Sequence, residues 1–289
     1  WNDLKYLLAT VQAGSYSLAA IELGVNRTTV ARRIEALETK LGSPLLENSS
    51  SGYSLTEQGQ QALKSARQLE QEINQLESQL TQGSEILRGS LRVAAPLGLG
   101  PEFMKELAAF SLQYPEIRLE LINTLDPISS LNQRTADVAI AIGHELPEYI
   151  QGTLITELER ALYASQHYLK KHPSSTQLSE HRWIGWGKEM PHTQAAKWMQ
   201  HNLEATTTIA AYVNSWHAMR AAVEQGIGIA HLWCFLAKEM PGVKKIRDIS
   251  PELTIGLWLC HHQDVQNNRR ISAFIEMMKP LLQQRTRGK

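Results

Sequence analysis

The alternation of short apolar segments with helical segments through residues 89–289 constrains the fold more than any other feature of the sequence. The run Asp137–Ile142 is almost wholly apolar, and Ser90–Ala95 and Ile117–Ile122 are two further strand-like runs. Apolar strands that alternate with helices are typical of a parallel sheet covered on both faces. The pattern therefore predicts an α/β region, and its length suits two lobes with a cleft between them. The expected boundaries are about 89–161 with 266–289 for the first lobe and about 162–265 for the second.

A different pattern occupies residues 1–58, where three short helical segments are separated by glycines. In the third segment, which we predict to run from Arg27 to Leu41, apolar side chains recur at spacings of 4, 3 and 4 residues. Gly24 ends the second helix just before it, and two helices joined by such a tight turn form a helix-turn-helix. The short runs Leu45–Leu46 and Tyr53–Leu55 flank a polar loop and predict a β-hairpin wing.

Residues 59–88 are predicted to form one long helix that links these two regions. Gln and Glu dominate it, whereas apolar residues recur at alternating spacings of 4 and 3 residues. This heptad pattern predicts a seam that is buried against the same helix of a second chain. Packing of the helix on its own domain is the alternative, because a lone helix that is polar on most faces is marginal in water. The residues of the predicted seam are Ala62, Ala66, Leu69, Ile73, Leu76 and Leu80.

Composition excludes several classes of protein. The 289 residues include 29 basic and 29 acidic side chains, so the net charge indicates neither a nucleic-acid nor a membrane partner. Two cysteines, Cys234 and Cys260, are too few for a disulfide framework or a Cys-rich zinc module. No apolar stretch is long enough to span a membrane, and the first residues, from Trp1, lack the pattern of a secretory signal. We therefore expect a cytoplasmic protein.

The helix-turn-helix pattern predicts a DNA-binding surface. In such motifs the N-terminal part of the second helix enters the major groove, where Arg pairs with guanine and Thr contacts several bases. Serine hydroxyls before the preceding helix are candidate phosphate donors. Residues 1–60 contain five basic and six acidic side chains, so we expect weak non-specific binding and dependence on dimerisation. The predicted DNA-binding residues are Ser15, Ser17, Arg27, Thr28, Thr29, Arg32 and Arg33.

The carboxyl ends of the predicted strands indicate a ligand site. Ligands of open α/β sheets bind beyond these ends, and helix N-termini there offer free N–H groups. Histidine and tryptophan recur in the corresponding loops, and the loop 96–100 has no hydroxyl, which favours an aromatic or partly apolar ligand over a simple dicarboxylate. The predicted ligand-binding residues are Pro96, Leu97, Gly98, Gly143, His144, Thr193, Asn214, Ser215, His217 and His231.

The sequence contains none of the catalytic motifs that would indicate an enzyme. No GxSxG elbow, Walker loop or dinucleotide-binding GxGxxG follows a predicted strand, so we expect no catalytic residues and no cofactor. His261 and His262 are adjacent in a strand and point to opposite faces, so no metal site is predicted. An α/β enzyme with an appended helical module and a protein that only sequesters a ligand are the alternatives. The enzyme would need a nucleophile, a base or a cofactor loop, and sequestration alone does not explain residues 1–58.

An ordered string of residues in the first segment resembles the winged helix-turn-helix of the LysR-type transcriptional regulators. The linker helix and the two-lobed region, which is similar to periplasmic binding proteins, extend the resemblance over essentially the whole chain. The resemblance implies a homo-oligomer, dimeric or tetrameric, whose binding to double-stranded promoter DNA is modulated by a small-molecule effector. RNA polymerase is included among the expected partners, and a membrane is not. The matching residues are Gly14–Ala20, Leu23–Val25, Val30, Arg32–Ile34, Leu37–Glu38, Leu41–Gly42, Pro44–Leu46 and Leu55–Gly59.

Three positions depart from the family pattern. Ala31, Leu46 and Asn48 stand where the family usually has Ser, Phe and Arg. An arginine in the wing would contact a phosphate, so Asn48 predicts weaker DNA binding without any consequence for the fold.

Overall fold

The chain forms two compact units. The first unit holds the residues up to 85 together with Asn132–Thr135, so it includes most of the helix predicted over 59–88, and the second unit holds the rest. None of the helices described is both long and apolar enough to cross a membrane. The computed structural model of the protein describes residues 2–49, 52–80, 87–172, 177–188, 190, 193–248, 250–265 and 268–287.

The first unit is built on three short helices and a hairpin, as the sequence predicts. Gly24 and Gly42 end the second and third helices with φ angles of 64° and 68°, in the left-handed region that glycine adopts without strain. Val30 and Ile34 of the third helix are buried in the core between the helices. Residues 50–51 of the predicted wing loop lie outside the described residues. The elements are α1 (Asn2–Ala13), α2 (Tyr16–Leu23), α3 (Arg27–Leu41), β1 (Leu46–Ser49) and β2 (Gly52–Leu55), with β1 and β2 antiparallel.

The helix α4 (Glu57–Leu80) divides the predicted seam into a buried part and an exposed part. Ala66 is fully buried against Leu8 and Leu63 within the unit, so its assignment to a seam between chains was wrong. It was assigned there because a heptad pattern does not distinguish a contact with α1 from a contact with a second chain. Leu69 and Leu76, further along α4, are exposed. The side chain of Leu80 and residues 81–86 lie outside the described part of the chain.

The first lobe of the second unit contains a five-stranded mixed sheet rather than the expected parallel one. Strands β3, β4 and β5 are parallel, but β12 is antiparallel to both β5 and β6. The chain leaves this lobe through β6 and returns through β12, and two strands joined in this way run in opposite directions. The order is β4-β3-β5-β12-β6, for β3 (Gly89–Pro96), β4 (Ile117–Thr124), β5 (Val138–Gly143), β6 (Ile150–Leu158) and β12 (Ile255–His262).

The return strand also corrects the predicted lobe boundary. The range 162–265 assigned β12 to the second lobe, whereas its ladders with β5 and β6 belong to the first lobe. Strand β6 was not predicted at all, because residues 150–158 contain no apolar run and few of them are buried. Helices α5 (Met104–Gln113) and α11 (Arg269–Thr286) contribute Phe110 and Phe274 to the core under the sheet. The short helix α6 (Pro127–Asn132) precedes β5.

The second lobe is built from two small sheets. Strands β10-β7-β11 are antiparallel, and β8-β9 are parallel. Trp183 and Ile184 are completely buried in this lobe. The strands are β7 (Arg160–Ser165), β8 (Trp183–Trp186), β9 (Ile209–Val213), β10 (Ala230–Trp233) and β11 (Val243–Arg247), and the helices are α7 (Gln166–Lys171), α8 (Gln194–Asn202), α9 (Trp216–Glu224) and α10 (Cys234–Ala237).

A buried ion pair joins the strands of the first lobe. Asp137, just before β5, accepts hydrogen bonds from the backbone N–H of Arg92 in β3 at 2.8 Å and from its guanidinium at 2.7 and 3.2 Å. Both residues are buried. A paired and hydrogen-bonded charge is tolerated in such a place, whereas removal of one partner leaves the other uncompensated.

We expect Asp137→Asn to lower the free energy of unfolding by about 3 kcal/mol, because it removes the carboxylate charge that pairs with the buried Arg92 guanidinium. Urea unfolding measures this change. Glu120→Gln is the matched control, since Glu120 pairs with Arg118 at the exposed surface of the neighbouring strand, and it should cost less than about 1 kcal/mol. Equal losses in the two variants would contradict the proposed role of the buried pair.

Candidate DNA interface and ligand cleft

The outward face of α3 is set by the position of its buried residues. Val30 and Ile34 point into the core, and an α-helix turns by about 100° per residue. Thr28, Arg32 and Glu35 therefore lie on the opposite side, and all three are exposed. The face thus presents a hydroxyl and a guanidinium near its N-terminal end, followed by a carboxylate one turn later.

Only part of the predicted DNA-binding set shares this face. Arg33 points back toward α1, where its Nη1 lies 3.1 Å from Oδ1 of Asp3. Its guanidinium also lies 5.8 Å from the ring centroid of Tyr6. Arg27 is exposed at the start of α3, and Thr29 is half-buried at its flank. The structure therefore leaves Arg27, Thr28 and Arg32 exposed and places Arg33 in a contact between helices.

The two predicted serines differ in what they bond. Ser15 caps α2, and its Oγ accepts a hydrogen bond from the backbone N–H of Leu18 at 3.2 Å. This geometry is the usual reason for a serine before a helix. Ser17 is exposed in the first turn of α2. Ser17 is therefore free to contact a DNA phosphate, whereas the hydroxyl of Ser15 is already hydrogen-bonded as the cap of α2.

The residue that holds the wing next to α3 was not predicted from the sequence. Oε1 of Glu38 accepts hydrogen bonds from the backbone N–H groups of Leu45 and Leu46, at 2.7 and 3.2 Å. The ring of Tyr53 in β2 stacks on that of Tyr16, with centroids 4.4 Å apart. Glu38 thus has a structural role, which neither its place in the family pattern nor its count among the acidic residues predicted. The side chain of Asn48 lies outside the described residues.

In the second unit, loops from both lobes face one another across a cleft. Pro96 ends β3 and is followed by Leu97 and Gly98, and Gly143 ends β5 and is followed by His144, so both segments lie at the carboxyl ends of parallel strands as predicted. The loops opposite them start α8 and α9, where Thr193 and Ser215 act as N-caps. Ala196 and Ala218 donate their backbone N–H groups to these two hydroxyls, each at 3.2 Å.

Three contacts cross the cleft between these loops. Gly98 has a φ of 92° and packs so closely on Trp216 that an added Cβ would lie 2.9 Å from the indole. Nε2 of His144 lies 2.8 Å from the amide nitrogen of Gln194. Nε2 of His217 lies 3.7 Å from a carboxylate oxygen of Glu102, which follows β3. The structure therefore brings the predicted loop residues together, with Leu97 and Asn214 exposed beside them.

A buried arginine lies against Trp216, and it was not predicted from the sequence. Arg160, the first residue of β7, is paired with Trp233 of β10. Its guanidinium carbon lies 3.6 Å from the ring centroid of Trp233 and 5.3 Å from that of Trp216. Trp216 in turn meets Trp186 edge-on at 5.0 Å. An arginine at the start of an apolar strand was the available signal, because such residues are rarely buried without a partner.

His231 does not line the cleft with the other predicted residues. It is buried in the second lobe between Trp183 and Trp198, at ring-centroid distances of 5.8 and 4.6 Å. Its Nε2 lies 3.4 Å from the hydroxyl of Ser250. Burial and the nearby cation of Arg160 lower the pKa of His231 to about 4. The imidazole is therefore neutral at physiological pH.

We expect the protein to lose stability between pH 6.5 and about 4, in part through His231. In this range the unfolded chain binds a proton at the imidazole, whereas the folded protein does not, so the free energy of unfolding falls as the pH falls. His231→Gln should remove part of this loss, on the order of 1–3 kcal/mol. Urea unfolding from pH 7 to pH 4.5 measures it, and the exposed His201→Gln serves as control. A wild-type slope in His231→Gln would refute the assignment.

The two cysteines do not supply a reactive thiolate. Burial is the main cause that raises the pKa of Cys234, and it raises that of Cys260 to about 12. Both thiols are therefore protonated at neutral pH. In the part of the chain that the structure describes, no three His, Cys, Asp or Glu side chains are grouped in a way that could hold a metal ion.

A helix-turn-helix with a wing, joined to a two-lobed α/β domain with a cleft, combines a DNA-binding module with a ligand-binding module. Residues 1–60 match the family described as bacterial regulatory helix-turn-helix protein, lysR family, and residues 84–283 match the LysR substrate binding domain. The chain belongs to the LysR family.

Individual relatives are moderately similar. The transcriptional activator TtdR of Escherichia coli K12 is 32% identical over 180 residues, which cover 62% of this chain and only 58% of TtdR. The regulator CrgA of Neisseria meningitidis is 32% identical over 188 residues, covering 64% of this chain and 62% of CrgA. The solved structure of CrgA matches with a TM-score of 0.57 and 26% identity over 98% of both chains. CbnR in complex with its target DNA has the same fold, with a TM-score of 0.61 and 20% identity over 96% of this chain and 98% of CbnR.

Proposed function

We propose that this protein is a DNA-binding transcriptional regulator whose promoter binding is modulated by a small molecule held between the two lobes. The observation that carries the proposal is the exposed N-terminal half of α3, where Arg27, Thr28 and Arg32 share the surface and the wing is held beside the helix by Glu38. A bacterial regulator acts on the chromosome, so the proposed location is the cytoplasm.

Arg32 is the proposed base-reading residue. It lies in the second turn of α3, on the side away from the core, and Arg pairs bidentately with guanine in the major groove. Thr28 lies one turn earlier on the same face and suits contact with a neighbouring base. Ser17 and Arg27 are proposed to contact backbone phosphates, with Thr29 at the flank. Arg33 is proposed to hold α3 against α1 through Asp3, and so to act on DNA binding only through the position of the helix.

We expect Arg32→Ala to weaken binding to a promoter fragment by about 1–3 kcal/mol and to relax specificity at one base position. Fluorescence anisotropy over a salt series, with DNA from upstream of the protein's own coding region, measures the change. Lys40→Ala is the matched control, because Lys40 is exposed on the same helix but lies about 12 Å further along its axis. If Arg32→Ala and Lys40→Ala weaken promoter binding equally, and weaken binding to random DNA as much, the recognition role of α3 is refuted.

The exposed part of α4 is the proposed dimer contact. Leu69 and Leu76 are 38% and 53% exposed and lie one heptad apart, with the half-buried Ile73 between them. Large apolar side chains at heptad spacing are typical of a helix that pairs with a second copy. Two-fold symmetry would then present two α3 helices to half-sites one DNA turn apart. A dimer or a tetramer is compatible with this contact.

We expect Leu76→Glu to dissociate the oligomer, because it places a carboxylate from each chain in an apolar seam. Analytical ultracentrifugation measures the mass, and promoter binding should weaken together with it. Gln61→Glu adds the same charge at an exposed position of the first part of α4 and should leave the assembly intact. If Leu76→Glu retains the wild-type mass, the seam must lie elsewhere.

The cleft of the second unit is the proposed effector site. The loops that follow β3 and β5 contact the starts of α8 and α9, and these contacts would change with the arrangement of the two lobes. A ligand that binds one lobe arrangement more tightly therefore increases the population of that arrangement. We propose no catalytic role, and RNA polymerase is a further proposed partner. The cleft residues proposed to meet the effector are Pro96, Leu97, Gly98, Gly143, His144, Thr193, Asn214, Ser215 and His217.

A further inference from the structure

The second unit holds a cavity of about 720 Å³ that shares no lining residue with the set proposed to meet the effector. Its walls are α5, the end of α10 with the residues that follow it, and the end of α11, so both lobes contribute to them. The volume lies in the range of sites that hold small molecules. The charged side chains around the cavity indicate what kind of molecule would fit.

A buried carboxylate lines this cavity. Glu106 is 7% exposed and lies three residues after Phe103 and four before Phe110, both of which are completely buried, so it shares the core-facing side of α5 with them. Its Oε2 is buried and has no hydrogen-bond partner among the described residues. A place in the first turn of a helix favours a negative charge, but the helix dipole does not replace a donor at the oxygen. The cavity therefore contains an acceptor that lacks a donor.

Three cations around the cavity are also unpaired. Lys105, Lys238 and Arg287 are exposed, and none of them has an ion-pair partner in the described part of the chain. Arg285, by contrast, pairs with Glu239, and its Nη2 lies 2.8 Å from Oε2 of that carboxylate. The groups left unpaired are thus three cations and the single carboxylate of α5. They match an occupant that has two negative charges and also carries hydrogen-bond donors.

We propose that this cavity binds a phosphate ester of a sugar or polyol, with the phosphate on the exposed cations and a hydroxyl donated to Glu106. A phosphate monoester carries a charge of about −1.5 to −2 at pH 7, and its oxygens accept hydrogen bonds from Lys and Arg. The hydroxyls of the ester supply the donors that the carboxylate of Glu106 accepts. A phosphate without hydroxyls would meet the same cations but would be repelled by that carboxylate.

Glycerol 3-phosphate, ribose 5-phosphate and glucose 6-phosphate are the probes, because each carries a phosphate together with hydroxyls. Methyl phosphate keeps the charge and lacks the hydroxyls, whereas ribose keeps the hydroxyls and lacks the charge. Isothermal titration calorimetry with the full chain, at one ionic strength and without phosphate in the buffer, measures each affinity. The preference of the site is the affinity for the tightest of the three esters divided by that for methyl phosphate.

We expect wild type to bind at least one ester about tenfold more tightly than methyl phosphate, and ribose more weakly than either. Glu106→Gln should reduce this preference several-fold and should strengthen binding of methyl phosphate, because it removes a negative charge from the site. The matched control is Glu116→Gln, since Glu116 is exposed just beyond the end of α5 and does not line the cavity. A Glu106 with only a structural role predicts a change in Tm and an unchanged preference.

Lys238→Gln tests the phosphate end of the site. It should weaken binding of the ester and of methyl phosphate alike, and so leave the preference unchanged, because it removes a cation that both ligands contact. Lys197→Gln is its control, since Lys197 is exposed on α8 and outside the cavity. Unlike the change at Glu106, this substitution is at an exposed position and should not affect folding.

The proposal is overturned if no ester binds wild type more tightly than methyl phosphate, if Glu106→Gln keeps the wild-type preference, or if Lys238→Gln binds the ester as wild type does. Glu106→Asp keeps the charge and covers the case in which the glutamine variant does not fold. It should bind the ester more weakly than wild type without binding methyl phosphate more tightly, because its carboxylate is withdrawn by one methylene. The proposed DNA-binding surface and effector cleft use none of these residues, so failure here leaves the proposed function unaffected.

Discussion

The buried ion pair of Arg92 and Asp137 is the interaction on which the geometry of the cleft depends. Strands β3 and β5 share a ladder of only two residue pairs, and the carboxylate of Asp137 extends it by bonding both the backbone and the side chain of Arg92. The loops that form one wall of the cleft leave the carboxyl ends of these same two strands. The relative position of Gly98 and His144 therefore follows from a charge pair at the opposite end of the sheet.

The two buried arginines of the second unit illustrate different uses of the same side chain. Arg92 is paired with a carboxylate and stabilises the sheet, as a buried charge with full hydrogen bonding can. Arg160 has aromatic neighbours but no acceptor for two of its nitrogens within the described residues. A pattern of apolar strands predicts the surroundings of neither arginine, because the residues that contact each guanidinium depend on which strands become neighbours in the sheet. The two residues thus show that a buried guanidinium can be held by a carboxylate in one place and against aromatic rings in another.

The first unit shows how far helical periodicity can predict a site. The bounds of α3 and its buried residues followed from the spacing of apolar side chains, and Gly24 and Gly42 ended the helices where expected. The same periodicity places Arg32 opposite the buried stripe and Arg33 beside it, but it did not reveal that Arg33 pairs with Asp3 of α1. Likewise the heptad pattern of α4 did not reveal that Ala66 packs on Leu8 of its own unit.

The class of fold, the helix-turn-helix, the loops at the carboxyl ends of β3 and β5 and the family resemblance could be predicted without the structure, because they depend on local spacing and on ordered motifs. Tertiary structure decided which strands of the second unit are neighbours. The antiparallel return of β12 moved the lobe boundary, and the pairing of β7 with β10 set Arg160 on Trp233. His231 was drawn into the core of the second lobe for a similar reason. Such contacts join residues far apart in the chain. Local sequence patterns therefore predict neither the contacts nor the energetic cost of burying a polar side chain among them.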